Sequence, residues 1–337
     1  MKSIFRFLAV AFAAACLIVL SNCAQTQNTT DASKSSPAAN SSPAATTANN
    51  QTSGKPKINI NTAILSELDK FEAQLAVPAL SNKIQASRPY AKPEELVTKK
   101  VITQDQFDKI KDQVTIEDIV LTGEAKDVDY MVKLGLMKGH MLVAKELLDL
   151  KKPDQAEPHI GHPVEEIYVD VEDQLKERNV PDFKTQLVSL QDLVKSKPND
   201  PQLGSQFEAS MKAVDGAIAA LPDSQRQSPE FTMKVINGLL DTANSEYQAS
   251  VANGKIAAVI EYQDSRGFVT YADALKNNIS DKLTKQNSEA QKAIADTLTQ
   301  LKTAWPSPIA PEKPVLPPDK VTQLIKTIEQ DAQKIIK

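Results

Sequence analysis

The chain has 337 residues, with 39 Lys and Arg against 43 Asp and Glu. That length allows two folded units, and the near balance of charge leaves no global field to attract nucleic acid or an anionic membrane. Few aromatics, few glycines, many Ala, Leu, Lys, Gln and Asp, and almost no alternating apolar runs point to helices. The expected fold class is all-α, a small helical domain followed by an antiparallel helical bundle.

The first residues read as a targeting signal. Lys2 and Arg6 give a positive start, and the apolar run from Leu8 to Leu20 is too short to span a membrane comfortably. It ends at Leu20-Ser21-Asn22-Cys23, which resembles the bacterial lipobox, although Asn22 stands where a smaller residue is usual. The resemblance implies a signal peptide over residues 1–22 and lipid attachment at Cys23. It also implies a place in the bacterial cell envelope, held to the membrane through that lipid and facing the periplasm or the cell exterior. Cys16 would be removed and Cys23 blocked, which excludes a structural disulfide or a Cys-based zinc site. The rest of 23–56 is Ser, Thr, Ala, Asn and Gln with almost no large apolar residue, and it reads as a disordered tether. Its coil reach is about 30 Å.

From Ile58 to Ile119 the pattern changes to short helices, in a domain expected to span 57–122. Asn61 is a candidate cap for a helix carrying Leu65, Leu68 and Phe71. Pro78 opens a second with Leu80 and Ile84. Tyr90, Pro93 and Leu96 lead to a third, and Thr103 caps a fourth carrying Phe107 and Ile110. The opening Ile58-Asn59-Ile60-Asn61-Thr62-Ala63, Glu67-Leu68-Asp69, Ala79-Leu80-Ser81-Asn82-Lys83-Ile84 and Phe107-Asp108-Lys109-Ile110 resemble the helix-hairpin-helix domain of ComEA-type DNA-uptake proteins. With Arg88-Pro89-Tyr90 before Glu94-Glu95-Leu96, the segment is also similar to the PsbU-type extrinsic proteins of photosystem II. The first resemblance implies duplex DNA binding, the second an accessory role in a thylakoid lumen. DNA-binding hairpins use a Gly-hydrophobic-Gly turn so that bare backbone N–H groups reach a phosphate. The matching positions here are Leu75-Ala76-Val77 and Val101-Ile102-Thr103, and no glycine occurs between Gly54 and Gly123. Lys99 and Lys100 are offset by Glu94, Glu95, Asp105 and Asp108. The domain therefore reads as degenerate, with a protein partner expected and duplex DNA not.

Residues 123–304 read as the bundle. A long helix reaches about Leu150 and is closed by Lys151-Lys152-Pro153. Within it Leu134, Met137, Met141, Ala144 and Leu148 form one stripe, interrupted by Gly135 and Gly139. Each glycine costs roughly 1 kcal/mol against alanine, a cost that calls for close approach of another helix or a ligand. The next helix is expected to start at His162-Pro163, with proline in the first position and His162 as cap. Further helices are expected from about Asp182, over Leu203–Ile218, from Phe231 onward past Gly254, and over Ser280–Leu301. A strap from Trp305 to Pro318 and a last amphipathic helix carrying Val321, Leu324, Ile325, Ile328 and Ile335 complete the segment 305–337.

All three histidines, His140, His159 and His162, lie between Tyr130 and Tyr168. Helical bundles build metal sites from side chains on facing helices, and His with carboxylates suits Cu, Fe or Zn. The candidate ligands are His140, His159, His162, Glu165, Glu166, Glu261 and Asp264. Several of them have a plain structural role available. Acids in a first turn favour the helix dipole, and the block Glu261–Arg266 could be an ion-pair network. A simple hairpin would also leave His140 about 15 Å along the helix axis from His162, unless the connection folds back. Gly139-His140 resembles part of the Gly-x-His-x-x-Glu element of imelysin-like iron-uptake proteins, but no residue separates Gly from His, and Val143 stands where the glutamate would.

No nucleophile motif or phosphate loop occurs, so no enzyme is expected. The function expected is a lipid-anchored, non-enzymatic envelope binding protein with a transition metal in its bundle. The alternatives are a ComEA-like DNA-uptake protein and a PsbU-like accessory protein.

Overall fold

The computed structural model describes residues 57–337 apart from Ile119 and Lys337. The signal peptide, Cys23 and the tether lie outside the described residues. Residues 57–116 gather around their own apolar core. Strand β1 (Ile58–Asn59) pairs in parallel with a strand at the far end of the segment, Val114–Thr115 (β2), with Ile58 opposite Val114. Between them run α1 (Leu65–Leu75), α2 (Leu80–Ala86), α3 (Glu95–Thr98) and α4 (Gln104–Ile110). Leu68, Phe71, Leu80, Ile84, Leu96, Phe107 and Ile110 are all buried, as their helical spacing requires.

Thr103 caps α4 as expected, with its hydroxyl accepting from Gln106 N while the Gln106 side chain accepts from Thr103 N. Asn61 does not cap α1. Its side chain clamps Tyr90 instead, donating to Tyr90 O at 2.9 Å and accepting from Tyr90 N at 2.7 Å. The helix begins at Leu65, and Glu67 accepts from Ile64 N.

The larger core is all helical but for one small hairpin, so the all-α class holds. Helix α5 (Gly123–Asp149) is its axis. Then come α6 (Pro153–Ala156), α7 (Pro158–His162), a π-helical turn (Pro163–Ile167) and α8 (Tyr168–Glu177). They are followed by α9 (Lys184–Ser196), α10 (Leu203–Ile218) and α11 (Asp223–Arg226). The C-terminal part contains α12 (Pro229–Ser250), strands β3 (Val251–Ala252) and β4 (Lys255–Ile256), α13 (Val259–Asn278), α14 (Ser280–Lys302) and α15 (Pro318–Ala332). Helix α12 packs on α13, α13 on α14, α14 on α15 and α15 back on α12, which closes a four-helix ring. Helix α5 lies against α13 and α12 from outside that ring, and α1 packs on α12. No helix of the described residues is long and apolar enough to cross a membrane.

Two expectations are corrected by this path. His162 makes no side-chain cap: it is the last residue of α7, with helical φ −54° and ψ −48°, and it directly precedes the π turn that starts at Pro163. The helical path after α5 starts at Pro153, and a second proline, Pro158, begins α7. Pro163 falls inside the path, where its missing N–H and its ring disfavour an ordinary α turn. The chain there takes the wider π turn, a form found mostly as single-turn bulges. The second correction concerns α12, which stops at Ser250 and does not pass Gly254. Asn253 and Gly254 both have positive φ, 53° and 72°, which is the two-residue turn that closes a tight β-hairpin.

Candidate metal centre

The site is set by a backbone-to-backbone crossing of α5 and α13. A Cβ on Gly267 would lie 2.3 Å from the carbonyl oxygen of Gly139, and one on Gly139 would lie 2.7 Å from the Phe268 ring. The other interrupting glycine, Gly135, faces Leu239 and Tyr271. The expected close approach is therefore that of neighbouring helices. At this crossing His140, next to Gly139, meets Asp264, one turn before Gly267 on α13. The His140 ring stands edge-on to Phe268 with centroids 5.0 Å apart.

Helix α7 supplies the other imidazoles. Helices α6 and α7 pack back along α5, which removes the offset expected for a simple hairpin. The ring centroids of His159 and His162 each lie 6.1 Å from that of His140. Asp264 Oδ1 is 2.7 Å from His159 Nδ1 and 2.7 Å from His140 Nδ1. His162 Nδ1 is farther, 4.0 Å from Asp264 Oδ2. His140, His159 and Asp264 are 2 %, 0 % and 4 % exposed, whereas the His162 side chain is 39 % exposed. Among the described residues, these three buried side chains are the one His/Cys/Asp/Glu group whose ligand atoms converge, all within 4.8 Å of one another.

The proton arrangement follows from the partners. Gln263 Nε2 donates to Pro308 O and to Gln155 Oε1, each at 2.9 Å. A backbone carbonyl only accepts, so the amide orientation of Gln263 is fixed. Its Oε1 then faces His159 Nε2 at 2.9 Å, and that nitrogen must carry a proton. A neutral His159 would consequently point a bare Nδ1 lone pair at a carboxylate oxygen. The contact is favourable when Nδ1 is protonated or when a cation sits between the two. Burial pulls the His159 pKa down, but the charge and hydrogen bond of Asp264 outweigh it and the net shift is upward. Burial likewise pushes Asp264 up, and its attraction to His140 and His159 reverses this to a net lowering. Burial is the chief cause of a lowered pKa at His162. His140 Nδ1, despite its 2.7 Å approach to Asp264, lies off the direction a hydrogen bond needs and is a buried nitrogen without a hydrogen-bond partner. A buried ring nitrogen 2.7 Å from a carboxylate and without a hydrogen-bond partner is accounted for by an ion pair with that carboxylate or by a cation held between them.

The remaining candidates are not among the converging ligand atoms. Glu165 is exposed. Glu166 is half-buried and accepts from Leu65 N at the start of α1, at 3.3 Å, with burial raising its carboxyl. Burial also raises Glu261 on α13. The polar block around Asp264 holds the Trp305–Pro318 strap. Tyr262 donates to Ser307 O, Gln263 to Pro308 O, and Arg266 to Trp305 O, while Trp305 donates to Ser265 Oγ. Arg266 also forms a two-pronged pair with Glu146 of α5. Gln263 carries no signal of its own in the sequence, since it is one polar residue within a polar block.

Residues 222–337 match the family of the iron permease-associated 4-helix bundle domain. The matched segment contains α12, α13, α14 and α15, the four helices of the ring. Neither the curated proteins nor the solved structures gave a match. The finding corrects the resemblance read from residues 57–119: the family match lies at the other end of the chain, and no helix-hairpin-helix family matches. The ComEA-type and PsbU-type readings fall with it. The residues that carried them, such as Leu68, Phe71, Leu80, Ile84, Phe107 and Ile110, are buried core positions that any small helical unit must fill with apolar side chains. Such positions report packing and are silent on ancestry.

Proposed function

We propose that this chain is a non-enzymatic, lipid-anchored protein of the bacterial envelope that binds a transition metal, iron foremost, in the service of an iron permease. His140, His159 and Asp264 would hold the ion. One observation carries the reading: three buried ligating groups converge at the α5–α13 crossing, and one of them, His140 Nδ1, has no hydrogen-bond partner. The family match supports iron as the metal, since the matched segment supplies Asp264. The hydrogen bond from His159 to Gln263 supports it further, because an imidazole that ligates through one nitrogen usually donates from the other to an oxygen.

Cys23 is the proposed anchor, with the tether behind it setting the reach from the membrane. Cys23→Ser is expected to release the protein from membranes or leave its precursor uncleaved. Unchanged processing and membrane retention would remove the anchor.

The metal reading is tested by anaerobic calorimetric titration of Fe²⁺ and Zn²⁺ into the full chain. One ion per chain is expected. His140→Ala and Asp264→Asn are each expected to weaken binding by more than roughly 100-fold, beyond the cost of losing an outer-sphere partner. No binding, or equal binding by the variants, would leave His159, Asp264 and Gln263 as a structural polar network.

A further inference from the structure

We infer that His162 is the closing ligand of this centre, and that three imidazoles and one carboxylate thereby select a divalent, borderline-soft cation, ferrous rather than ferric when the metal is iron. The inference rests on the reading of His140, His159 and Asp264 as metal ligands and adds a fourth residue and an oxidation state to it.

His162 follows His159 on one face of the same helical path, a spacing that brings side chains together. Its ring meets that of His140 edge-on, with an interplanar angle of 87°. The two oxygens of Asp264 divide between the imidazoles, with Oδ1 near His140 and His159 and Oδ2 the oxygen nearest His162. His162 thus lies nearest the other carboxylate oxygen and farther out, at 4.0 Å.

The other three groups are buried, so an ion reaching them must pass a surface element, and the His162 side chain is 39 % exposed. The π turn begins at the next residue, Pro163, which has no N–H to tie the preceding turn. Pro163 therefore donates no backbone hydrogen bond that a small inward shift of His162 would break.

The donor set decides the cation. Imidazole suits Fe, Zn, Cu and Ni in their divalent states, whereas carboxylate, carbonyl and water suit Mg, Ca and Mn. Ferric ion, harder still, prefers oxygen-rich sets. Three nitrogens against one carboxylate favour Fe²⁺, Zn²⁺, Cu²⁺ and Ni²⁺ over Mg²⁺, Ca²⁺ and Mn²⁺.

The test uses the full chain and Co²⁺, whose visible absorption reports coordination number and donor type. Wild-type protein is compared with His162→Ala and His162→Gln, and Fe²⁺ under anaerobic conditions is compared with Fe³⁺ offered as citrate. Loss of a ligand is expected to weaken Co²⁺ at least roughly tenfold in both variants, as even an outer partner does, and to change the spectrum. Unloaded thermal stability should stay near that of the wild type, because His162 is partly exposed. Wild-type protein is expected to retain Fe²⁺ in preference to Fe³⁺. Equal Co²⁺ affinity and an unchanged spectrum in both variants would overturn His162 as a ligand and leave the three-residue site standing. A preference for Fe³⁺ would overturn the ferrous assignment. No Co²⁺ or Fe²⁺ binding by wild-type protein would remove the three-residue site and this inference together.

Discussion

Asp264 Oδ1 stands 2.7 Å from two imidazole nitrogens, and the approach to His140 leaves that nitrogen without a hydrogen-bond partner. The protons around His159 give this cluster a pH signature. In the metal-free protein the pKa of His159 is raised above its ordinary 6.5. A raised base contributes stability that is fully present below the ordinary value and is lost as pH rises through the folded-state value. The pKa of Asp264 is lowered from its ordinary 3.8, so its contribution is present above that value and is lost as pH falls through the lowered one. The metal-free melting temperature is expected to be highest between these ordinary values and to fall as pH rises above 6.5. Metal affinity is expected to rise over the same interval, because the ion replaces the proton on His159 Nδ1. Scanning calorimetry with and without Zn²⁺ checks both slopes, and a metal-free melting temperature that rises from pH 6 to 9 would contradict them. Gln263→Leu removes the acceptor of the His159 Nε2 proton, and competition titration should show affinity lower by roughly 10–100-fold. The histidines were legible as candidates because three of a rare residue crowd into one stretch. Gln263 was not, since its role depends on a carbonyl, Pro308 O, in a distant strap.

At the scale of elements, the centre depends on how closely α5 and α13 cross. Gly267→Ala would drive a Cβ into the Gly139 carbonyl at 2.3 Å, and backbone cannot yield as a flexible side chain can. Overpacking of this kind costs about 1–3 kcal/mol, occasionally more. Chemical denaturation should show that loss, and metal affinity should fall with it because His140 and Asp264 separate. A Gly267→Ala protein of wild-type stability would mean that the helices do not touch here. The sequence announces that Gly139 needs a close neighbour, since a mid-helix glycine is costly, but it does not say which, because the partner lies on a helix remote in the chain. Elements marked by local chemistry were readable, among them the Thr103 cap, the Leu203–Ile218 helix and the Ser280 start of α14. Misreadings arose where two local signals competed. Pro163 carries the mark of a helix start and does open the π turn, yet Pro153 and Pro158 precede it and open the helical path after α5. The apolar face continuing through Val251 hid the Asn253-Gly254 turn, itself a strong hairpin signal.

Over the whole molecule, the family match covers the four-helix ring, while two of the three proposed ligands come from α5 and α7 outside it. The site therefore links separate elements, and an ion bound there stabilises the fold by linkage. At a free concentration one hundred times the dissociation constant the gain is about 2.7 kcal/mol, expected in wild-type protein and absent in Asp264→Asn. The α1 side of the bundle carries an opposite strain. Burial, with the nearby charges of Glu72, Glu261 and Glu166, pushes the Asp69 carboxyl up to about 7, against a hydrogen bond from Ser81. A raised acid costs stability progressively as pH climbs from its ordinary value of 3.8 through that folded value. Asp69→Asn is therefore expected to raise the melting temperature more at pH 8 than at pH 4, and the reverse order would disprove the strain.

The most direct measurement is anomalous X-ray diffraction at the iron edge, from crystals of the full chain loaded anaerobically with Fe²⁺. The account predicts one anomalous peak, at bonding distance from His140 Nδ1, His159 Nδ1 and an Asp264 carboxylate oxygen. A loaded crystal with no peak at the α5–α13 crossing, or with its iron elsewhere on the protein, would contradict it.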